Sequence, residues 1–376
     1  MIPYGKQTID EADILAVIET LKSDWLTQGP KVIEFEKKLA EYCGVKYAVV
    51  VNNGTAALHL AYFVAGLKSD DEIILSPLTF AATANAALWQ GAKPVFVDVN
   101  PKTGNIDPKL IEEKITNKTR VITPVDYTGR PADLDTIKAI AEKYNLIVVE
   151  DACQAFGASY KNKKVGSISD LTVFSFHPVK TITTGEGGAV LTDNENYYKK
   201  MKMFVTHGMT KQNFVNESEG EWYMEMQMLG MNYRLTDIQC TLGLSQLKKA
   251  DYFVRSRRII AEFYNDVFKD FKNIFLPTPD SFVEQSSWHL YVIRLAEKLV
   301  NSRAEIFKKL RAKGIGVQVH HLPVYYHPYY QDLKYRKGIC PVAENFYDKA
   351  ISLPIYPSLS KDEQQFVIKQ ILDIVH

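Results

Sequence analysis

The chain has 376 residues, and its 45 basic and 44 acidic side chains leave a formal charge of +1 at neutral pH. This balance gives no support for a nucleic-acid or anionic-membrane partner, no apolar run approaches a membrane span, and the amino terminus lacks a signal-peptide core. Cys43, Cys153, Cys240 and Cys340 form no paired metal spacing and no disulfide framework. We therefore expect a cytoplasmic protein whose cysteines pack as small apolar side chains.

Short apolar runs rich in valine and isoleucine alternate with segments of helical periodicity through the first two thirds of the chain. This alternation predicts an α/β protein with a mostly parallel sheet that helices cover on both faces. The predicted strands are residues 48–51, 72–75, 94–97, 121–125, 146–149, 172–176 and 189–191.

The strand pattern fades towards residue 250, and helical segments follow at 254–268 and 302–312. Because the chain exceeds the usual size of one compact core, we predict two domains. Residues 14–250 form the large domain, and residues 251–376, joined by 1–13, form a smaller carboxyl-terminal domain. At the first helix, Thr8 and Glu11 have the spacing of a capping box.

Polar segments follow several predicted strands, and the carboxyl ends of parallel strands form the ligand-binding edge of an open sheet. After the first strand, Gly54, Thr55 and Ala56 begin a helix whose free N–H groups and positive dipole end suit a phosphate. A plain helix N-cap is the alternative, and the place on the sheet edge favours the phosphate site. Phe80 follows the second strand and could lie on a flat cofactor ring, although such a phenylalanine is more often core.

An acid and an amine are predicted on the same edge. Asp151 follows the apolar run 146–149, where a carboxylate needs a cationic partner, and Lys180 lies between an aromatic strand and a glycine-rich turn. Pyridoxal phosphate requires such a pair, because a lysine must form an imine with its aldehyde and an acid must keep its pyridine nitrogen protonated. A structural ion pair or helix cap for Asp151 and a solvated position for Lys180 are the alternatives. Gln154 can reach the phenolic oxygen of this cofactor, and Ser175 can bind its phosphate.

Four segments together resemble the DegT/DnrJ/EryC1/StrS family of sugar aminotransferases, over nearly the whole chain. They are residues 52–58 (NNGTAAL), 151–157 (DACQAFG), 175–180 (SFHPVK) and 230–235 (GMNYRL). The resemblance implies a homodimer with the aspartate aminotransferase fold, fold type I of the transferases that depend on pyridoxal phosphate, and active sites at the subunit interface. It implies that Lys180 is the catalytic nucleophile and general base and that Asp151 is the pyridine partner. It further implies phosphate contacts from Thr55, Ala56, Ser175 and, from the other subunit, Asn232.

Lys180 also predicts transamination within the family, because relatives with histidine at this position act as sugar dehydratases. Residues 180–188 (KTITTGEGG) are similar to the segment of members that aminate C4 of a 4-keto-6-deoxy sugar. The likeness is greatest to members that serve pseudaminic acid biosynthesis, which implies UDP-2-acetamido-2,6-dideoxy-β-L-arabino-hex-4-ulose as substrate and L-glutamate as amino donor. The resemblance implies these residues on the sugar and nucleotide side: Tyr4, Asp24, Trp25, Leu26, Thr27, Gln318, Val319, His320 and His321, with Arg234 at the pyrophosphate. Ordinary surface positions are the alternative for these loop residues, above all for Arg234.

Three other functions remain open. A C4 aminotransferase for another nucleotide sugar, of the legionaminic acid, bacillosamine or viosamine type, would share the fold-type residues, and Gln154 replaces a histidine common in the pseudaminic acid route. A noncatalytic regulatory protein that binds pyridoxal phosphate would predict a lost lysine or an added DNA-binding segment. A dinucleotide-binding oxidoreductase would need a Gly-x-Gly-x-x-Gly fingerprint after the first strand, where the chain has residues 52–55 (NNGT).

Overall fold

The computed structural model describes residues 1–375. The α-helices are α1 Glu11–Leu21, α2 Pro30–Cys43, α3 Gly54–Val64, α4 Ala82–Trp89, α5 Leu134–Tyr144, α6 Glu195–Phe204, α7 Asp237–Leu247, α8 Ala250–Phe268, α9 Arg303–Ala312, α10 Pro328–Asp332, α11 Pro341–Lys349 and α12 Lys361–Ile374. The strands are β1 Tyr47–Val51, β2 Glu72–Leu75, β3 Lys93–Phe96, β4 Thr119–Thr123, β5 Ile147–Asp151, β6 Ser159–Tyr160, β7 Lys163–Lys164, β8 Leu171–Ser175, β9 Gly188–Thr192, β10 Met209–Thr210, β11 Glu225–Met226, β12 Ile274–Phe275, β13 Glu284–Gln285, β14 Tyr291–Leu295 and β15 Ala350–Leu353. None of these described helices combines the length and the apolar character needed to cross a bilayer.

A seven-stranded sheet in the order β1-β9-β8-β5-β4-β2-β3 forms the centre of the larger part of the molecule. Its strands pair in parallel except for β9, which runs antiparallel to both β1 and β8. Each strand predicted from the sequence corresponds to one of these seven. The predicted α/β fold with a mostly parallel mixed sheet is therefore confirmed.

Alternating side chains of the buried strands supply two separate hydrophobic layers. In β8, Val173 belongs to the cluster that contains α3, whereas the adjacent Phe174 belongs to the cluster that contains α2 and its Phe35. This follows from the two-residue period of a strand, which sends neighbouring side chains to opposite faces. Because both faces are covered by helices, the strands can be apolar throughout, and the polar ligand site is left to their ends.

A second, smaller sheet in the order β12-β14-β15 is antiparallel and lies in a separate hydrophobic cluster formed by residues 260–375. The sequence analysis missed this sheet because its strands are short and lie among longer helices. The amino terminus reaches this region, since the Ile2 amide donates to the Gly314 carbonyl at 2.8 Å and Ile2 forms a parallel bridge with Ile315. The division between residues 250 and 251 falls in the first turn of α8 and stays a prediction.

The capping box at α1 differs from the expected one. Asp10 is the N-cap, its side chain accepts from the Asp13 amide, and the Asp13 side chain accepts from the Asp10 amide. The prediction of Thr8 and Glu11 was therefore wrong. The reason is tertiary: Asp13 is fully buried and pairs with Lys249 at 2.7 Å, which fixes where the helix begins.

Candidate active site

A cleft of about 940 Å³ lies at the carboxyl ends of the parallel strands. Segments that follow β1, β2, β5 and β8 line it, as the sheet-edge argument predicts. The predicted site residues that it brings together are Tyr4, Thr55, Ala56, Phe80, Asp151, Gln154, Ser175, Lys180, Gln318, Val319, His320 and His321.

Asp151 is the buried acidic residue of the cleft. It ends β5, is 5% exposed, and accepts hydrogen bonds from the Thr83 hydroxyl at 2.6 Å and the Cys153 amide at 3.2 Å. The buried carboxylate of Glu36 has an ion-pair partner in Lys202, but within residues 1–375 no lysine, arginine or histidine forms an ion pair with Asp151. Because a buried carboxylate needs a positive partner, the site calls for a cationic ligand atom at this position.

Lys180 supplies the amine. It lines the same cleft in a half-buried position, on a loop closed by hydrogen bonds from the Phe176 amide to the Gly187 carbonyl and from the Thr184 amide back to Phe176. Burial lowers the pKa of Lys180, while Cys153 and Asp151 act in the opposite direction. The net shift favours the neutral amine, which is the form that can act as nucleophile or base. A fully solvated surface lysine is therefore excluded.

The start of α3 combines a helix cap with free donors. The Asn53 side chain accepts from the Ala56 amide at 2.8 Å, so Ala56 is already used by the cap. Gly54 and Thr55 lie in the first turn, where amides have no intrahelical partner. A Cβ on Gly54 would lie 2.8 Å from the Cβ of Ser175, which shows how closely the Ser175 hydroxyl approaches this helix end. Together these groups suit an anion.

Gln154 and Phe80 lie on the other side of the cleft. The Gln154 Oε1 accepts from the Thr128 amide at 2.8 Å, and its Nε2 lies 3.1 Å from His321 Nε2. Phe80 is 66% exposed, with its ring 6.5 Å from the His321 ring. The core alternative for Phe80 is therefore wrong, because its ring faces the open cleft.

Three histidines surround the lysine and are kept neutral. Burial, with a contribution from nearby Lys180, lowers the pKa of His289 and His321 and lowers the pKa of His320 to about 4. The sequence analysis missed His289, which lines the cleft with an enclosed, unpartnered Nδ1, because a single histidine carries no spacing signal. At neutral pH these imidazoles add no charge that would compete with Asp151.

Two more lining residues were missed or misplaced. Thr83, the partner of Asp151, lies one helical turn after Thr79, and their hydroxyls are 2.7 Å apart. Two threonines four residues apart after β2 were the sequence signal from which this hydroxyl pair could have been predicted. Cys153 is half-buried in the cleft, and burial, then Asp151, raises the pKa of its thiol. It packs against the hydrophobic cluster that contains α3, as expected of an apolar side chain, and it also lines the cleft because it follows Asp151 at the strand end. The other three cysteines are buried.

The remaining predicted residues lie outside the cleft of their own chain: Asp24, Trp25, Leu26, Thr27, Asn232 and Arg234. Residues 24–27 are exposed, and the loop is fixed by the Asp237 carboxylate, which accepts from the Gly29 amide at 2.7 Å and the Lys31 amide at 2.9 Å. Thr27 forms a bridge with Thr236, so this loop and the 232–234 segment belong to one surface.

The donor set of the cleft fits pyridoxal phosphate. The Asp151 carboxylate, which has no ion-pair partner within residues 1–375, matches a protonated pyridine nitrogen. The α3 terminus with Ser175 matches a phosphate, and the Lys180 amine, whose pKa burial lowers, matches an aldehyde. One small molecule carries all three groups.

Comparison with known proteins agrees with this chemistry. The sequence model of the DegT/DnrJ/EryC1/StrS aminotransferase family matches residues 7–372. The chain is 42% identical, over 100% of its length and 98% of the relative, to the UDP-4-amino-4,6-dideoxy-N-acetyl-β-L-altrosamine transaminase of Campylobacter jejuni.

Two solved structures are similar over the whole chain. Helicobacter pylori PseC, an aminotransferase of pseudaminic acid biosynthesis, has a TM-score of 0.94 and 38% identity, and the match covers 100% of this chain and 99% of PseC. The pyridoxamine phosphate form of Spr1654, a sugar aminotransferase candidate from Streptococcus pneumoniae, has a TM-score of 0.95 and 32% identity, with the same coverage of both chains.

Proposed function

Because the chain belongs to the DegT/DnrJ/EryC1/StrS aminotransferase family, we propose that it aminates C4 of UDP-2-acetamido-2,6-dideoxy-β-L-arabino-hex-4-ulose with L-glutamate as donor. Family membership makes it a sugar aminotransferase that depends on pyridoxal phosphate. The product would be UDP-4-amino-4,6-dideoxy-N-acetyl-β-L-altrosamine, the sugar in the name of the Campylobacter relative. The observation that carries the reaction type is that the Lys180 amine, whose pKa burial lowers, and the Asp151 carboxylate, which has no ion-pair partner within residues 1–375, line one cleft.

The cleft residues named in this paragraph would each hold one part of the cofactor. When bound, the cofactor would withdraw electrons from the donor α-carbon and carry the amino group between substrates. Asp151 holds the proton on the pyridine nitrogen, because its carboxylate stabilises the charged ring. The amides of Gly54 and Thr55 and the hydroxyl of Ser175 hold the phosphate. The remaining predicted cofactor contacts are the Ala56 end of the first turn, the Gln154 amide at the phenolic oxygen and the Phe80 ring at the cofactor face.

Lys180 performs the proton transfers. Its Nζ takes the proton from the α-carbon of L-glutamate and later delivers a proton to C4 of the sugar, so one group serves as base and acid in turn. Burial lowers the pKa of Lys180, so its Nζ gives up a proton more readily than the amine of an exposed lysine.

We expect Gly54→Ala to weaken cofactor binding about 10- to 100-fold, because a Cβ 2.8 Å from Ser175 must displace a phosphate contact at a cost of about 1–3 kcal/mol. Titration of apoprotein with pyridoxal phosphate, followed by fluorescence quenching, measures the dissociation constant. Gly5→Ala is the matched control, because its Cβ would meet Val179 at an ordinary 3.7 Å. Equal dissociation constants of the two variants for pyridoxal phosphate would show that this helix end does not bind the phosphate.

A homodimer completes the proposed site. The helix α1 exposes Ile14, Leu15, Ile18 and Leu21, and the adjoining loop exposes Trp25 and Leu26, which together form an apolar patch of the kind that interfaces cover. The loop 24–27 and the 232–234 segment lie on the same side of the chain, through the Thr27–Thr236 bridge. We propose that the partner subunit places Asn232 at the phosphate and Arg234 at the pyrophosphate, with loop 24–27 beside the sugar.

The substrate assignment predicts a clear preference among 4-keto-6-deoxy sugars. With L-glutamate as donor, kcat/KM for the UDP-β-L-arabino sugar should exceed the values for sugars of the legionaminic acid, bacillosamine and viosamine types by about 100-fold, because a site built for the hydroxyl arrangement and nucleotide of one sugar leaves polar groups unpaired with another. Mass spectrometry of each product provides the measurement. A higher value for one of the others would move the chain to that route and leave the aminotransferase assignment intact.

A further inference from the structure

Two fully buried carboxyl groups lie directly behind the catalytic edge. Glu150 precedes Asp151 in β5, and Asp126 follows β4 on the neighbouring strand. The Asp126 Oδ1 accepts from the Ala132 amide at 2.9 Å, and the Glu150 Oε2 accepts from the Thr172 hydroxyl at 3.0 Å. Their other oxygen atoms, Asp126 Oδ2 and Glu150 Oε1, are enclosed and have no hydrogen-bond partner within residues 1–375, and the enclosed Ser169 hydroxyl near Glu150 is also unpaired.

The Asp126 and Glu150 side chains are neighbours, since each shifts the pKa of the other, and a hydrogen bond between their enclosed oxygen atoms requires a proton. The other titratable groups that face the pair are Asp151, Cys153 and Cys43, and none of these is cationic. Burial, followed by the proximity of Glu150, raises the pKa of Asp126, and burial also raises that of Glu150. Two buried carboxyl groups next to each other are not both ionised. One proton held between them would give a hydrogen-bond partner to both Asp126 Oδ2 and Glu150 Oε1.

This pair fastens the turn formed by residues 126–132, which we call the 126–132 turn, to β5. The Asp126 amide donates to the Asp151 carbonyl at 3.1 Å, and the Asp151 amide donates to the Pro124 carbonyl at 2.9 Å. Within the same turn, the Thr128 amide donates to Gln154 Oε1 at 2.8 Å. The turn therefore contacts both the proposed pyridine partner and the proposed contact to the phenolic oxygen.

We propose that Asp126 and Glu150 share one proton, and that this shared proton latches the 126–132 turn to β5 and so positions Asp151 and Gln154 for the cofactor. The positioning part rests on the cofactor site proposed above, whereas the shared proton is a property of the protein alone.

The pH dependence follows from the direction of the shift. An acid with a raised pKa in the folded state binds its proton more tightly there than in the unfolded chain, where Asp titrates near about 4. Stability from the latch is thus complete below about pH 4 and is lost as pH rises through the folded pKa of the pair. Above that pKa, a second carboxylate next to Glu150 and Asp151 repels both and releases the turn.

Asp126→Asn separates the proton from the hydrogen bonds, because an amide still accepts from Ala132 and donates to Glu150 but cannot ionise. Wild-type apoprotein should show the infrared carbonyl band of a protonated, buried carboxylic acid near neutral pH, and Asp126→Asn should lack it. The unfolding constant of the wild type should rise with pH by up to about tenfold per pH unit more than that of the variant, the linkage of one proton. Asp266→Asn, on the exposed face of α8, is the matched control and should keep both wild-type properties.

Cofactor affinity tests the positioning. Asp126→Ala leaves Glu150 and the Ala132 amide unpaired, and the dissociation constant for pyridoxal phosphate should rise more than about tenfold at every pH. The affinity of Asp126→Asn for pyridoxal phosphate should equal that of the wild type near neutral pH. It should not fall at alkaline pH, where the affinity of the wild type should fall because the pair loses its proton. If Asp126→Asn does not fold, Glu150→Gln provides the same test, because its amide donates to an ionised Asp126 and the infrared band again disappears.

The outcomes decide the proposal separately from the proposed function. A wild type without the infrared band near neutral pH, or an Asp126→Asn variant with the wild-type pH dependence of unfolding, would overturn the shared proton. A band that disappears in Asp126→Asn together with an unchanged affinity in Asp126→Ala would overturn the positioning role. If the apoprotein does not bind pyridoxal phosphate at all, the proposed cofactor site is wrong. The infrared and unfolding measurements would still show whether Asp126 and Glu150 share a proton.

Discussion

Lys180→Ala lowers sugar amination by about 10⁴-fold or more, because the same Nζ is nucleophile, base and acid, and one positioned proton-transfer group alone supplies about 10²–10⁴-fold. The substitution removes the amine without adding bulk to the cleft, so the apoprotein should still bind pyridoxal phosphate through Asp151 and Ser175. Steady-state kinetics with L-glutamate and the 4-keto sugar, after saturation with cofactor, measures the loss.

Two controls separate this chemistry from disruption of the fold. Lys163→Ala removes an exposed lysine in β7 and should leave kcat within about twofold of the wild type. Added methylamine should restore part of the activity of Lys180→Ala, because a small amine can enter the 940 Å³ cleft and act as the base. Activity of Lys180→Ala within tenfold of the wild type would assign the chemistry to another group.

Asp151→Asn should lower kcat by about 10²- to 10⁴-fold. Loss of one partner from a buried charge pair costs about 3–5 kcal/mol, and each 1.36 kcal/mol corresponds to a factor of ten in rate. The asparagine has the same size and its Oδ1 can still accept from the Thr83 hydroxyl, so the change removes the charge together with the acceptor of the Cys153 amide. Stopped-flow absorbance of each half-reaction, with the cofactor dissociation constant measured in parallel, separates slow chemistry from weak binding.

Thr83→Val is the graded comparison for Asp151. It removes one hydrogen bond to the carboxylate, worth about 1.5 kcal/mol, and should slow the reaction by roughly tenfold. If the charge of Asp151 is needed, kcat should fall much further in Asp151→Asn than in Thr83→Val. Equal losses would mean that Asp151 acts through packing and hydrogen bonding and that its charge is unimportant.

The sequence carried most of the information about the central sheet and its edge. Each of the seven strands is a short apolar run that needs only local pattern to recognise, and their parallel order places the segments after β1, β2, β5 and β8 at one edge. Asp151 and Lys180 could be identified from the sequence because burying a carboxylate or an amine next to such apolar strands costs free energy unless the group has a partner.

Other features depend on tertiary contacts that local patterns do not contain. The position of α1 is set by the buried pair of Asp13 and Lys249, and the exposure of Phe80 depends on the shape of the cleft. Glu150 lies in β5 and Asp126 follows β4, so the two side chains become neighbours only in the folded chain. The residues at 24–27 and 232–234 lie away from the cleft of their own chain, and their proposed roles need a second subunit.

The visible spectrum of the protein loaded with pyridoxal phosphate tests the central claim most directly. The account predicts a yellow protein that loses its colour when L-glutamate is added and releases one equivalent of 2-oxoglutarate per site. The colour should return when the UDP-β-L-arabino 4-keto sugar is added, and Lys180→Ala should complete neither change. A wild-type protein whose spectrum is unaffected by L-glutamate would contradict the assignment of Lys180 and Asp151 to amino-group transfer.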